Sequence, residues 1–317
     1  MTSKPTVAVL AGGLSHEREI SLRSGRRVTQ ALRDLGHEVI ESDVDSGLIE
    51  TLTGLDDVVA FPLLHGESGE DGALREVLSM LDIPFVGTLP RSCRLAFDKA
   101  VSTTLVRRAG IRTPEQVALP HDLFRELGAK HIVRSLGEKL GFPLMVKPAR
   151  CGSALGCTRV DAPEDLPAAM VAAYGYGPLA VVEEGVSGVE VTVTVIDTGN
   201  GPEAQPVVKI EPASGVYDYE ARYTAGATRF TVPADLSDEI TAQCADMAVR
   251  VHELLGLRDL SRTDIIIDEE GPVFIETNVA PGMTETSLVP LALDAGPDGF
   301  AKVCSQLVSV AAARARG

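Results

Sequence analysis

The sequence lacks the features that mark membrane, secreted and nucleic-acid-binding proteins. None of its apolar runs approaches the ~20 residues of a membrane span, and its beginning, MTSKPTVAVLAGG, has no signal-peptide pattern. Its five cysteines include no C-x-x-C pair, which favours reduced thiols. Only 29 Lys and Arg residues oppose 45 Asp and Glu residues, and the net charge of -16 argues against a nucleic-acid surface. We expect a cytoplasmic protein without nucleic-acid or membrane partners.

Two nucleotide-binding motifs are missing as well. No G-x-G-x-x-G follows the first predicted strand, residues 6–10, which argues against a Rossmann dehydrogenase. The small-residue loop at residues 149–156 is not a P-loop, because no G-x-x-x-x-G-K-[ST] leads into a helix there. The first strand continues into Gly12-Gly13 and a helix to about residue 35, the beginning of a doubly wound α/β unit. The 317 residues suffice for two or three domains.

Polar residues follow strands of this unit, where such folds bind ligands. Glu17, at a loop-to-helix junction, either receives a substrate ammonium or is a helix N-terminal carboxylate stabilised by the dipole. His65 begins the loop HGESGEDG after the predicted strand 58–64, as a site residue or a structural histidine. Residues 83–87 are predicted to form a further short strand. Residues 91–109 are predicted to form one helix containing Lys99, a position where a lysine is ordinarily solvated.

The middle of the chain contains a loop suited to phosphate. The predicted strand 142–148 ends near Lys147, and the loop ARCGSALG returns to a strand at residues 157–160. Backbone N–H groups of such a flap can surround phosphate oxygens, although a plain hairpin with a glycine-rich turn has the same pattern. Glu183 and Glu190 adjoin two further predicted strands, and they either contact a base and ribose or are surface acids.

The last third of the chain predicts a charged hairpin of residues 264–268 and 272–276. Asp264 opens its first strand, and Glu276 and Asn278 lie at the end of its second. Two carboxylates and an amide oxygen suit Mg²⁺ bound together with a nucleotide phosphate. Arg262 projects to the same side as Asp264. The alternative is a surface hairpin with solvated acids. Three of the five tyrosines fall within residues 217–223, which favours a mobile lid or a loop packed by tyrosines.

Taken in order, these stretches resemble the D-alanine–D-alanine ligases of the ATP-grasp superfamily over about residues 6–310. The motifs HGESGEDG, YDYEARY and PGMTETSL are specific to that family, whereas the lysine with its glycine loop and the Asp…Glu-x-Asn pattern belong to ATP-grasp enzymes generally. The resemblance implies an α/β fold: an N-terminal doubly wound (pre-ATP-grasp) domain, residues 1–97, followed by a two-part α+β ATP-grasp fold, residues 98–186 and 187–317.

The resemblance also implies an activity. ATP phosphorylates the carboxylate of one D-alanine, and the amine of a second D-alanine attacks the acyl phosphate to form D-alanyl-D-alanine for peptidoglycan precursors. The implied cofactors are ATP and two Mg²⁺ ions, for which Mn²⁺ can substitute. The implied partners are D-alanine, ATP and a second copy of the chain in a homodimer. Positioning and charge neutralisation suffice for this chemistry, without a covalent enzyme intermediate.

Residue roles follow from the same resemblance. Glu17 would pair with the ammonium of the first D-alanine and join Ser153 and Tyr223 in a hydrogen-bonded set that closes flap and lid. Arg262 and the Gly282 amide would stabilise the oxyanion. The remaining contacts are implied as sets: ATP would be held by Lys99, Lys147, Gly152, Gly156, Glu183, Glu184, Val186 and Glu190, two Mg²⁺ by Asp264, Glu276 and Asn278, the second D-alanine by Ser287 and Leu288, and His65 and Arg222 would be further substrate-binding residues.

Three departures from the family pattern leave alternatives open. The flap reads Cys151-Gly152-Ser153-Ala154 where Glu-Gly-Ser-Ser is common, the lid has Arg222 where lysine is common, and Val279-Ala280 precedes the proline where Thr-x-Pro is common. One alternative is an ATP-grasp ligase of altered amino-acid specificity, joining for example D-alanine to D-serine, or acting in antibiotic biosynthesis or self-resistance. Another is a catalytically inactive ATP-binding module.

Overall fold

The structure, a computed structural model, describes residues 4–224 and 226–314, except for the side chain of Tyr223. Its N-terminal part forms a small parallel sheet in the order β2-β1-β3. Phe85 adds a single parallel bridge to Ala60, so the predicted strand at residues 83–87 is wrong as a full element. The elements are β1 (Thr6–Leu10), α1 (Arg18–Asp34), β2 (Val39–Ser42), α2 (Leu48–Thr53), β3 (Val58–Pro62), α3 (Glu67–Glu70) and α4 (Ala73–Met80).

The helix predicted for residues 91–109 is two helices, α5 (Pro90–Phe97) and α6 (Lys99–Arg108). The backbone is extended at Asp98, whose carboxylate accepts the N–H of Val101 at 3.2 Å and thereby caps α6. The backbone N–H of Lys99 turns outward to the carbonyl of Ala149 at 2.9 Å. Lys99 therefore stands at a helix N-terminus beside the flap instead of inside a solvated helix.

The central part is an antiparallel sheet in the order β4-β7-β5-β6, with helices packed on it. The flap is the connection between β5 and β6, as the small-residue pattern predicted. The elements are β4 (Gln116–Pro120), α7 (His121–Leu127), α8 (Ala129–Leu140), β5 (Leu144–Pro148), β6 (Thr158–Val160), a 3₁₀ turn (Pro163–Asp165), α9 (Leu166–Tyr174) and β7 (Leu179–Glu184).

The third sheet has the order β11-β10-β8-β12-β13, with β9 paired to β8. The predicted hairpin is present and longer than predicted, and its register places Asp264 opposite Glu276. The elements are β8 (Val189–Ile196), β9 (Glu203–Ala204), β10 (Val208–Pro212), α10 (Tyr219–Tyr223), β11 (Thr228–Thr231), α11 (Asp238–Leu254), β12 (Leu260–Asp268), β13 (Gly271–Asn278), α12 (Leu288–Ala295) and α13 (Phe300–Arg314).

The C-terminal helices pack back onto the N-terminal sheet. Val7 and Phe61 from that sheet share one buried cluster with Leu293 of α12 and Leu307 of α13. The first and last predicted domains therefore share a hydrophobic core, and the boundaries at residues 97/98 and 186/187 stay predictions. No helix in the described ranges is both long and apolar enough to cross a membrane.

Candidate active site

One polar cleft lies where the three sheets meet, and it collects most of the predicted site residues. The N-terminal loops, the flap between β5 and β6, the lid around α10 and the β12–β13 hairpin all contribute to its wall. The predicted residues that line it are Glu17, His65, Lys99, Gly152, Ser153, Arg222, Arg262, Glu276, Asn278, Gly282, Ser287 and Leu288. Side chains separated by more than 200 residues in sequence thus converge at one site, as the motif order predicted.

A second group of predicted residues lies outside the wall of this cleft: Lys147, Gly156, Glu183, Glu184, Val186, Glu190 and Asp264. Lys147 and Glu183 form a buried ion pair with each other, on neighbouring strands β5 and β7. The Glu184 carboxylate accepts the backbone N–H of Glu115 at 3.1 Å. Their predicted contacts with the nucleotide stay predictions, and the predicted role of Tyr223 concerns a side chain outside the described residues.

The flap closes onto the N-terminal part through Ser153. Its hydroxyl donates a short hydrogen bond to Glu17, a link between the first helix and the flap. Ser153 and Ala154 both have left-handed backbone conformations, with φ of 52° and 56°, which L-residues rarely adopt. Two turn bonds hold this shape, Leu155 N–H to Gly152 O and Cys157 N–H to Ala154 O, each 3.2 Å long. The flap is therefore already arched over the cleft.

Lys99 joins α6 to both the flap and the hairpin. Its Nζ donates to the backbone carbonyl of Cys151 at 2.7 Å and lies 3.1 Å from the Glu276 carboxylate. Burial lowers the pKa of Lys99, but Glu276, with smaller contributions from Cys157 and Glu70, more than offsets this, so the pKa is raised and the side chain stays charged. Because the flap contact uses a carbonyl, the cysteine that replaces the usual glutamate leaves it intact.

The hairpin presents a second buried cation. Arg262 binds Asp264 through Nε to Oδ1 and Nη2 to Oδ2, both 2.8 Å long, and the two residues are only 7% and 8% exposed. The hydroxyl of Thr192 on β8 donates to Asp264 Oδ1 at 2.7 Å. This network fixes the plane of the guanidinium at the cleft wall. A fixed donor of positive charge is what an oxyanion requires.

The carboxylates of the hairpin suit a hard cation. Asp264 and Glu276 are directly opposite each other, and Asn278 follows on the same strand. Their negative charge also affects Glu190. Burial raises the pKa of Glu190 to about 7, Arg222 opposes this rise, and Asp264 and Glu276 add to it. Two carboxylates and an amide oxygen match the ligand preference of Mg²⁺. Within the described residues, however, no three His, Cys, Asp or Glu side chains already form a metal cluster.

The opposite wall is held by neutral hydrogen bonds. The Nδ1–H of His65 donates to the Ala280 carbonyl at 3.0 Å, and burial lowers the pKa of this imidazole, so it is neutral at pH 7. A Cβ at Gly282 would lie 2.8 Å from Ser287 Oγ, which explains the glycine. The Ser287 hydroxyl also accepts the N–H of Thr284 at 3.0 Å. The Gly282 amide and Ser287 are thereby held side by side.

The lid contains structure that the sequence reading did not predict, a short helix and a strand. The Asp218 carboxylate caps α10 by accepting the Ala221 N–H at 2.9 Å. The Arg222 guanidinium lies 4.5 Å from the centre of the Tyr217 ring, and its Nε donates to the Tyr217 carbonyl at 3.3 Å. Arg222 therefore enters the cleft with its orientation fixed by an aromatic face.

Several residues of the cleft wall were missed by sequence reasoning: Ile20, Glu70, Ala96, Phe97, Cys151, Tyr217, Thr277, Thr284 and Thr286. Most of them adjoin predicted residues, so the motif boundaries were drawn too narrowly. Glu70 is different, because it is a buried acid in the middle of the loop HGESGEDG. An acid so close to His65 in a glycine-rich loop was the available signal.

A doubly wound N-terminal unit, followed by two α+β sheets that meet it at a polar cleft, defines an ATP-grasp ligase. The comparisons with known proteins narrow this class. Residues 105–309 match the family model for the D-ala D-ala ligase C-terminus. A D-alanine--D-alanine ligase from Nitrosomonas europaea is 39% identical over 307 residues, or 96% of each chain. The chain therefore belongs to the D-alanine–D-alanine ligase family.

Solved structures give the same result. A D-alanine--D-alanine ligase from Bacillus anthracis complexed with ATP is similar over 98% of each chain, with a TM-score of 0.80 and 25% identity. The VanG D-Ala:D-Ser ligase from Enterococcus faecalis is similar over 98% of this chain and 100% of that chain, with a TM-score of 0.83 and 26% identity. The fold thus extends to relatives whose second substrates differ.

Proposed function

We propose that the protein uses ATP to join two D-alanines into D-alanyl-D-alanine, through an acyl-phosphate intermediate, for peptidoglycan precursor synthesis. The observation that carries this proposal is the convergence of Glu17, Ser153, Arg262 and Ser287 on one cleft. A carboxylate for an ammonium, a flap for phosphate, a cation for an oxyanion and a hydroxyl for a carboxylate are what this reaction needs. Family membership supports the same substrates.

In the first half of the reaction, charged side chains of the protein pair with substrate groups of opposite charge. Glu17 binds the ammonium of the first D-alanine, and the hydrogen bond from Ser153 couples that contact to flap closure. Lys99 and Lys147 hold the ATP phosphates under the backbone of Gly152, Ser153 and Gly156. Glu183, the backbone of Glu184 to Val186, and Glu190 bind the base and ribose. Closure excludes water, which would otherwise hydrolyse the acyl phosphate.

The second half develops negative charge on the carbonyl oxygen under attack. Arg262, fixed by its two bonds to Asp264, and the Gly282 amide stabilise that oxygen. Ser287 and Leu288, at the beginning of α12, hold the carboxylate of the second D-alanine, with His65 nearby. Mg²⁺ held by Asp264, Glu276 and Asn278 would neutralise phosphate charge and polarise the transferred phosphoryl group.

A second candidate is a ligase for a different second amino acid, such as D-serine. Two observations favour keeping it: the flap carries Cys151 and Ala154 in place of the family's usual residues, and a D-Ala:D-Ser ligase is among the structural relatives. Assembly as a homodimer, a cytoplasmic location and domains at residues 1–97, 98–186 and 187–317 are proposed on the family resemblance.

The test is phosphate release from ATP and Mg²⁺ by the purified protein, with and without D-alanine, with the product identified by mass. The expected result is D-alanine-dependent release and a mass equal to two D-alanines minus one water. Phosphate release that is absent with D-alanine alone and appears when D-serine is added to D-alanine would support the second candidate. Background release with every D-amino acid, despite ATP binding, would contradict both and leave a catalytically inactive ATP-binding module.

A further inference from the structure

Glu70 is a buried acid of the cleft to which no role has been given above. It ends α3, is 7% exposed and lines the same cleft as Glu17 and Lys99. Its Oε1 accepts the N–H of Gly66 at 3.0 Å, and among the described side chains no cation lies within ion-pair distance of it. A buried carboxylate without a paired counter-ion is unfavourable, and groups of this kind concentrate at functional sites.

The position of Glu70 relative to the flap is well defined. A Cβ at Gly152 would lie 3.1 Å from Glu70 Oε1 and 3.7 Å from Glu17 Oε2. A Cβ at Gly66 would lie 3.4 Å from the same Glu17 oxygen. The two carboxylates therefore face one stretch of flap backbone from neighbouring loops. The proposed reaction has two amino-acid substrates, and each of them arrives with an ammonium group.

The two ammonium groups have different fates. The first amino acid reacts through its carboxylate, so its ammonium can stay charged. The second reacts through its nitrogen, which has no lone pair until a proton has left. A proton acceptor within reach of that nitrogen is therefore required.

The other titratable groups of the cleft are poor acceptors. Glu17 is engaged by Ser153, and the neutral His65 has Nδ1–H on a carbonyl and Nε2 3.4 Å from Ser24 Oγ. Glu276 lies 3.1 Å from the Lys99 ammonium, and this ion pair occupies its carboxylate. Glu70 is the acid that remains.

We propose that Glu70 accepts the proton from the ammonium of the second D-amino acid, an inference that rests on the ligase function proposed above. One N–H bond breaks and the proton moves to a Glu70 oxygen. The freed lone pair forms the C–N bond to the acyl carbon while the carbonyl π pair moves onto its oxygen, from which it returns to re-form the C=O bond. The bond from that carbon to the phosphate oxygen then breaks, and its electron pair leaves on phosphate, which takes the second proton from nitrogen.

The electrostatic surroundings support this role. Burial raises the pKa of Glu70 to about 7, and the negative charge of Glu17 adds to this rise. Lys99 and the Gly66 N–H oppose it, and Glu276 makes the smallest contribution in its favour. A general base works best with a pKa near the working pH. We expect kcat/KM for the second D-alanine to rise with pH through an ionisation near 7, which disappears when Glu70 is replaced by glutamine.

The experiment compares Glu70→Gln with Glu67→Gln, which removes an exposed acid from the same short helix. Both variants receive ATP, Mg²⁺, D-alanine and hydroxylamine, a nucleophile whose nitrogen is already unprotonated at neutral pH. Dipeptide and D-alanine hydroxamate are quantified by mass. For Glu70→Gln the expected result is a dipeptide rate lower by ~10²-fold and a hydroxamate rate within about twofold of the unmodified enzyme. Glu67→Gln should leave both rates unchanged.

Three outcomes would overturn the inference. One is a parallel loss of both products in Glu70→Gln with folding intact by circular dichroism, since hydroxamate formation needs no base. A second is an unchanged dipeptide rate. If Glu70→Gln fails to fold, Glu70→Asp keeps the base, and loss of hydroxamate together with dipeptide in that variant would overturn it too. Absence of both products from the unmodified enzyme would instead overturn the proposed function, and this inference with it.

Discussion

Replacing Arg262 with alanine tests the oxyanion assignment most directly. The substitution removes both 2.8 Å bonds to Asp264 and leaves that carboxylate buried, with the 2.7 Å bond from Thr192 still in place. It also removes the guanidinium from the cleft wall. Two effects are therefore expected, one on the stability of the fold and one on the rate of the reaction.

The magnitudes of the two effects can be separated. Removing one partner of a buried ion pair lowers the free energy of unfolding by about 3–5 kcal/mol. The remaining hydrogen bond from Thr192 places the expected loss toward the lower end of that range. Removing one oxyanion donor slows turnover by about 10²-fold or more, equal to ~2.7 kcal/mol of transition-state stabilisation. Saturating ATP and D-alanine raise the folded fraction by mass action, so the rate effect is measured on folded enzyme.

The control is an arginine that binds the other end of the same hairpin from outside it. Arg112 also binds an aspartate with two bonds, to Asp268 at 3.0 and 2.9 Å, but its side chain is 40% exposed. Arg112→Ala should cost at most about 1 kcal/mol and leave phosphate release unchanged. Arg262→Lys should recover charge but not the paired geometry, with intermediate turnover. A folded Arg262→Ala enzyme with the unmodified rate would refute the assignment.

Three further predictions concern other walls of the cleft. Glu17→Gln should raise KM for the first D-alanine while ATP affinity by calorimetry changes little; a defect confined to ATP would contradict it. Arg222→Lys should raise KM for ATP by roughly two- to fivefold, the worth of an exposed cation–π contact, and an unchanged KM would show that the stack on Tyr217 has no effect. Glu190→Gln should raise Tm at pH 8 more than at pH 5 in metal-free buffer. The folded-state pKa of Glu190 is raised to about 7, so its penalty grows as pH rises from the unfolded value and is complete above 7; an equal gain at both pH values would contradict this.

The hairpin of the cleft could be predicted because its signals are local. Three consecutive isoleucines centred on Ile266, a Glu-Glu-Gly turn and charged strand ends suffice to place Asp264 near Glu276, and the register confirms that pairing. The flap between β5 and β6 was predictable for the same reason. Family motifs then supplied the order of the sites along the chain.

The break between α5 and α6 was not predictable from local pattern. Apolar residues continue across Asp98 at helical spacing, and the helix is interrupted by a contact with Ala149, about 50 residues away. That contact turns the Lys99 N–H toward the flap and places its ammonium on the Cys151 carbonyl. Tertiary bonds of this kind override helix propensity, and the local trace of the break is the capping residue Asp98.

The packing of α13 on the N-terminal sheet was missed for a related reason. A periodic apolar face predicts a buried helix but not its partner. The carboxylate of Asp259 at the beginning of β12 receives the N–H of Gly87 at 2.6 Å and both amino groups of Arg314, at 2.6 and 2.8 Å. This network joins Gly87 of the N-terminal part to Asp259, 172 residues later, and through Asp259 to the last helix.

Three cations of the cleft region are held by its own acids, which has a consequence for ligand binding. Lys99 pairs with Glu276, Lys147 with Glu183 and Arg262 with Asp264. A triphosphate that takes the lysines leaves carboxylates without partners, and a divalent cation that takes the carboxylates displaces the lysines. When both arrive, Lys99 exchanges Glu276 for phosphate and Glu276 exchanges Lys99 for the cation, so neither of these two buried charges is left unpaired. Charge balance at the proposed site therefore favours joint binding of nucleotide and metal, and by linkage each must raise the affinity for the other by the same factor.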